Sequence, residues 1–193
     1  MKRATAVLTR GVFPHQFSWL LHVPLRRLIV SPARLVARLP LLETSRVLEV
    51  GPGSGYFSDA LARRLPRGLL CLIDLQPEML VKAKRRLQSR GHMNVQYVAA
   101  DAGGALPFAP AHFDLALLVS VLGEVRRQDE GLAALFHLLA PGGILAVHEA
   151  VPDPDRIQFH DLVTLVRKHG FALSARHGHR FSYTALFRKD PAR

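Results

Sequence analysis

"RVLEVGPGSGYFSDALARRL", Arg46 to Leu65, decides the fold. Apolar and β-branched positions run into a carboxylate, Glu49, then into Gly51-Pro52-Gly53-Ser54-Gly55, then into a helical pattern. Strand, tight glycine turn and helix N-terminus, in that order, build a site for a nucleotide-like ligand, because unpaired main-chain N–H groups point out of such a turn.

The same alternation continues along the chain. "GLLCLIDL" is a second strand, and "PEMLVKAKRRLQSR" a helix opened by Pro77 in its first turn. "NVQYVAA" and "FDLALLVSVL" are the third and fourth strands, and "DEGLAALFHLLA" is a helix stopped by Pro141-Gly142-Gly143. "GILAVHEA" is the fifth strand, and "PDRIQFHDLVTLVRKHG" a helix ending at Gly170. This order predicts an α/β, doubly wound fold whose parallel sheet is covered on both faces. The apolar density of the first five strands predicts burial on both sides. "FALSARHGH" and "RFSYTALFRK" have no helix between them, so the chain is expected to end in an antiparallel hairpin turning near Gly178. Residues 1–40 stand apart: "HQFSWLLHVPLRRLIVSPARLVARLP" is apolar, basic and broken by prolines. They read as an N-terminal lid or cap segment ahead of a domain at 41–193.

The bulk properties bound the partners. At 193 residues the chain suits one domain with a full core. Its single cysteine, Cys71, lies within an apolar strand run and reads as a buried core residue in a reducing compartment. A net charge of +11 steers anionic partners, with an anionic membrane surface or RNA as the candidates. No uncharged apolar run is long enough to span a membrane, and "MKR" at the start leads into no signal-peptide core, so a cytoplasmic location is expected, with peripheral membrane contact open.

Three ligands compete for the glycine turn. A P-loop needs a lysine after its glycines to balance terminal phosphates, and none follows here. A dinucleotide fingerprint is G-x-G-x-x-G, yet Tyr56 stands at the third glycine position and Glu49 is poor company for a pyrophosphate. S-adenosylmethionine carries a sulfonium, an ammonium and a carboxylate but no phosphate, and it fits these charges. Asp74, ending the second strand, suits a pair of ribose hydroxyls, and Asp101, after the third, suits an adenine amino group. One acid closing a strand is often a turn residue. Acids at the ends of three successive strands are a stronger signal. Asp114 opens the fourth strand at its opposite end and reads as structural.

"VLEVGPGSGYFS", "IDLQPEML", "AADAGGALPF", "FDLALLVSVLGEV" and "LLAPGGILAVHEA" together resemble, in order, the motifs of class I S-adenosylmethionine-dependent methyltransferases. "SVLGEV" and "LAPGGIL" are most similar to the type 11 branch that includes quinone-biosynthesis enzymes. The resemblance implies a Rossmann-like seven-stranded sheet, order 3-2-1-4-5-7-6, with strand 7 antiparallel and helices on both faces. It also implies that Glu49, Gly51, Gly53 and Gly55 surround the methionine portion of the cofactor, with Tyr56 packing over it. Asp74 would hold the ribose beside Leu75 and Met79, Asp101 and Ala102 would meet the adenine, and Ser120 would lie at the crevice mouth.

Methyl transfer from a sulfonium is an in-line displacement needing alignment, desolvation and, for some acceptors, a base. The loop after the fourth strand lacks the proline-rich motif of DNA amino-methylation, and Cys71 is misplaced for cytosine C5 attack. Ser120 occupies the place of a catechol-type metal carboxylate, so no metal is expected. A small-molecule or lipid-like acceptor, such as a quinone precursor or a phospholipid amine, survives these exclusions. Candidate bases are Glu124 and His148, then Glu149 and Tyr183. Phe17, Trp19, Leu20, Leu21, His22, Arg26 and Arg27 suit either a cap over an apolar acceptor or an anionic membrane surface. The alternatives are an RNA methyltransferase and a non-catalytic S-adenosylmethionine-binding subunit.

Overall fold

Strand runs as apolar as "LLCLID" and "LALLV" demand cover on both sides, and the computed structural model supplies it. It describes residues 31–190, so the aromatic and arginine residues expected to cap the crevice, Phe17 to Arg27, lie outside the described residues. The strands are β1 (Arg46–Val50), β2 (Leu69–Asp74), β3 (Val95–Ala99), β4 (Phe113–Val119), β5 (Leu139–Ala150), β6 (Phe171–His179) and β7 (Ser182–Lys189). The helices are α1 (Pro32–Val36), α2 (Ser58–Arg64), α3 (Pro77–Gln88), α4 (Gln128–Leu138) and α5 (Phe159–Arg167).

All seven strands form one sheet, ordered β3-β2-β1-β4-β5-β7-β6. β1 to β5 pair in parallel, and β7 runs antiparallel to both β5 and β6. The chain winds outward from β1 through β2 to β3, then restarts at β4 on the other side of β1. The order therefore reverses between β1 and β4, and a crevice opens there beyond the carboxyl ends of the strands.

Side-chain alternation splits the core in two. Leu48, Val50, Cys71, Ile73, Leu145 and Val147 pack with α4 and α5 on one face. Val47, Leu70, Leu72, Leu115 and Ala146 pack with α1, α2 and α3 on the other. Leu35, Val36 and Leu39, upstream of residue 41, join this second core. Each fully enclosed leucine contributes about 1.5–3 kcal/mol relative to exposure, so the sheet holds the crevice edge rigid.

Several boundaries differ from the sequence reading. α2 begins at Ser58, because Tyr56 and Phe57 are still in the turn. α4 ends at Leu138 and passes directly into β5, so Pro141-Gly142-Gly143 lies within the strand and stops nothing. Leu139 pairs with Phe113 and Ile144 with Leu115, and the intervening residues are absorbed as an irregularity in the ladder. α5 starts only at Phe159, after a loop containing Pro152 and Pro154. The hairpin turns at Arg180-Phe181, while Gly178 is inside β6 opposite Tyr183. β3 is an edge strand and only half buried. Asp114, at the far end of β4, accepts from the Arg46 N–H at 2.8 Å, a structural tie as expected.

Candidate active site

The three turn glycines do different work. Gly51 has φ +63°, and a Cβ there would sit 2.5 Å from a methyl of Val121, just past β4. Its N–H donates to the Ile73 carbonyl at 2.8 Å, tying the turn to β2. Gly55 packs against Ala83 of α3, where a Cβ would approach to 3.2 Å. At Gly53, also left-handed with φ +54°, nothing lies within 4 Å of such an atom. Gly51 and Gly55 are bare so that protein fits against them. Gly53 is bare toward open crevice.

Glu49 and Asp74 fall on the same face of the sheet as α2 and α3, since Val47 and Leu72 set that parity. Glu49 is 2% exposed, and its Oε2 has no hydrogen-bond partner. Burial, with Asp74 negative nearby and Ser58 opposing, pushes its carboxyl up to about 7. Asp74 accepts from the Gly53 N–H at 3.3 Å and the Gln76 N–H at 2.9 Å. Burial raises its pKa against the pull of these two bonds. A carboxylate has about four acceptor positions, so Asp74 retains capacity for ligand hydroxyls. Leu75 beside it is half exposed, whereas Met79 is buried in the first turn of α3.

Asp101 follows β3. Its Oδ1 accepts from the Gly103 N–H at 2.9 Å and its Oδ2 from Arg127 at 3.3 Å, and both bonds hold its pKa below the usual range. Ala102 packs against the α4–α5 core. Ser120 adopts φ +53° and donates its N–H to the His148 carbonyl at 2.8 Å, locking the ends of β4 and β5 together. The Tyr56 ring meets Phe57 edge-on at 5.1 Å and lies 5.6 Å under the Arg86 guanidinium, on the α2–α3 flank.

The β4–β5 side of the crevice is built from a short 3₁₀ turn, Leu122–Glu124, and the loop at 151–158. They are in close contact: a Cβ at Gly123 would fall 1.9 Å from the Asp155 carbonyl oxygen. Glu124 is half buried in that turn. Glu149, on the α4–α5 face, is 1% exposed. Burial and the negative charge of Asp153, with a smaller push from Glu124, raise its carboxyl to about 8 against the pull of Ile157 and Arg156. His148 faces the other way, buried, with Nδ1 2.8 Å from the Thr184 hydroxyl. Tyr183 donates to the Ile157 carbonyl at 2.7 Å, which pins the loop over Glu149.

Val121, Arg127 and Arg156 go unnoticed in a sequence reading. Val121 matters through its fit to Gly51, and Arg127 reaches Asp101 from the start of a distant helix. Only Arg156, a cation within the acidic "PDPDR", leaves a local trace.

A sheet that reverses beside a glycine turn, with acids at three adjacent strand ends, defines the Rossmann-like class of nucleoside-cofactor domains. Residues 47–143 match the family described as "Methyltransferase domain". The chain belongs to this family and is a class I S-adenosylmethionine-dependent methyltransferase domain. It is 36% identical over 107 residues to a ubiquinone/menaquinone biosynthesis C-methyltransferase of Pseudomonas entomophila, covering 54% of this chain and 41% of that one. It is also 36% identical over 121 residues to a trans-aconitate 2-methyltransferase of Methylobacterium nodulans, covering 63% and 43%. The matches thus span about two-fifths of these relatives' length. An S-adenosylmethionine-dependent methyltransferase from Aquifex aeolicus shares the fold with a TM-score of 0.84 at 18% identity, over 92% of this chain and 100% of that one. The residues present fit the cofactor: Glu49 offers a buried acceptor without a partner, and Gly53 leaves space beside it.

Proposed function

We propose that this chain methylates a small, apolar acceptor of the quinone-precursor or lipid-like kind, using S-adenosylmethionine. The observation that carries this is the convergence of Glu49 and Asp74 on the open Gly53 corner, within the segment the family matches. Glu49 and the turn N–H groups hold the amino-acid end, Asp74 the ribose hydroxyls and Asp101 the adenine amino group. Leu75 and Ala102 provide apolar contact, and Ser120 borders the crevice mouth. Bound at this corner, S-adenosylmethionine supplies a methyl group already activated on a positively charged sulfur.

The chain's remaining tasks are alignment, exclusion of water and proton removal. Glu124, half buried and under the electrostatic influence of Glu149, takes the proton that the acceptor loses. His148 supports the crevice floor through Thr184. An apolar acceptor is favoured because Val151 and Phe181, 41% and 49% exposed, lie side by side at the same end of the sheet, joined by a 2.9 Å backbone bond.

Methyl-labelled S-adenosylmethionine added to a host-cell extract tests the reading directly. Label should enter the solvent-extractable, apolar fraction, and Glu124→Gln should reduce that transfer about 10²-fold or more while leaving cofactor affinity intact. Label appearing in RNA or protein would point to a different acceptor class. Cofactor binding without any transfer would make the chain a binding subunit.

A further inference from the structure

Away from the crevice, α1, α2 and α3 border an open surface hollow of about 600 Å³. None of Glu49, Gly51, Gly53 and Asp74 lines it. Its floor is apolar and shallow, because Ala33, Val36 and Ala60 carry short side chains. Its rim carries Arg63 and Arg64 from the end of α2, Arg86 from the last turn of α3 and Arg90 from the turn just after it.

Among the described residues only one carboxylate, Asp59, lines the hollow against these four guanidinium groups. It is 12% exposed at the side chain and binds Arg63 at 2.7 Å, Arg90 through the same oxygen, and His92 at 2.9 Å through the other. The Arg64 guanidinium donates to the Leu41 carbonyl at 2.8 Å, and Arg86 lies over the Tyr56 ring. The arginines are thus held in place from behind, and the rim keeps a surplus of positive charge. Each guanidinium has five N–H donors, so those already bound retain donors for a phosphate.

An arginine rim above an apolar floor matches a phosphate that carries hydrocarbon. We infer that this hollow binds the phosphate headgroup and first chain segments of an anionic phospholipid, seating the α1–α3 flank on a membrane surface. A nucleic acid fits less well, because Arg86 already covers a face of Tyr56 and Phe57 meets its ring edge-on, so among the described residues no open aromatic platform is offered to a base.

The test uses the full chain with phosphatidylcholine vesicles, with and without added phosphatidylglycerol, in co-sedimentation. Binding should require phosphatidylglycerol and weaken about tenfold or more in R63Q/R86Q, two juxtamembrane charges being removed. The matched pair R126Q/R167Q, outside the hollow, removes the same charge and should change binding by less than about threefold. Equal losses in both pairs would reduce the effect to the overall charge of the chain and overturn the proposal. As a check independent of any variant, wild-type protein is titrated calorimetrically with short-chain phosphatidylglycerol, inorganic phosphate and an RNA oligonucleotide. The lipid should bind more tightly than phosphate and should not be displaced by RNA. Equal affinity for phosphate, or displacement by RNA, would assign the hollow to that ligand instead.

Discussion

The two sides of the crevice hold their acids in different ways. On the β1–β2 side, Asp74 accepts from Gly53 and Gln76, and further along Asp101 accepts from Gly103, so each acid is tied to backbone N–H groups of the turns it serves. On the β4–β5 side, Glu149 is enclosed with only a weak pull from the Ile157 backbone on its carboxyl, and its surroundings come from a loop that Tyr183 pins from β7. The first arrangement is local: acid and turn specify each other, so any chain using the same cofactor can carry the same few residues. The second depends on how distant segments fold over one another. In the proposed function, the shared cofactor is read by local motifs and the individual acceptor by tertiary packing.

Asp74→Ala breaks the local arrangement most severely. It removes an acceptor that holds the glycine turn and, in the proposed function, the ribose. A hydrogen bond to a charged group is worth about 1.5–3 kcal/mol, so losing two lowers affinity about 100-fold or more. Calorimetric titration with S-adenosylhomocysteine should register that loss, while Glu149→Gln should leave the affinity within about threefold, near the cost of one weak contact. Equal losses for the two variants would mean that both sides of the crevice bind the cofactor, and the comparison would collapse.

The glycines sharpen the same contrast within one turn. Gly51→Ala drives a methyl into Val121 at a left-handed φ, so it should destabilise the fold by about 2–4 kcal/mol. Thermal melting should fall accordingly, with cofactor affinity reduced only through the unfolded fraction. Gly53→Ala meets no protein atom, so its cost in stability should be confined to about 1–2 kcal/mol of backbone strain. Its main effect should be on binding, because the added methyl enters the space left for the ligand. Matching stability and binding profiles for the two variants would show that Gly53 is also a packing glycine.

Legibility follows the same division. The two-sided core and the acids at the strand ends were readable because each rests on short-range alternation and on turn chemistry, whereas the sheet order came only with the family resemblance that the ordered motifs carry. Pro141-Gly142-Gly143 misled because proline and glycine ordinarily end an element, while here pairing of Leu139 with Phe113 and Ile144 with Leu115 carries the strand across them. Gly178 suggested the hairpin tip, yet its φ of +97° serves a close approach to the Ser182 carbonyl oxygen within the ladder. Two adjacent residues of one strand, His148 and Glu149, look equally suited to chemistry in "AVHEA". Strand alternation sends the first toward Thr184 and the second beneath the loop at 151–158, and nothing in the local sequence records which side is enclosed.

The enclosure of Glu149 has its own signature in pH. A carboxyl whose pKa rises on folding, from 4.5 to about 8, binds its proton more tightly folded than unfolded. Its stabilising contribution is therefore complete below about 4.5, declines as pH rises, and is exhausted above about 8. Glu49, raised to about 7, acts in the same direction over the lower part of that window. Each such group can remove at most about 1.4 kcal/mol per pH unit, which is about 3–6 °C in Tm for a chain of this size. Wild-type Tm should fall between pH 5 and pH 8, and Glu149→Gln should flatten the decline by a few degrees, melting above wild type at pH 8 but not at pH 5. Asp101→Asn, an exposed acid whose pKa is lowered instead, should leave the slope unchanged. A Glu149→Gln curve parallel to wild type would mean that the loop at 151–158 admits water to the carboxyl, and that the β4–β5 side solvates its acid after all.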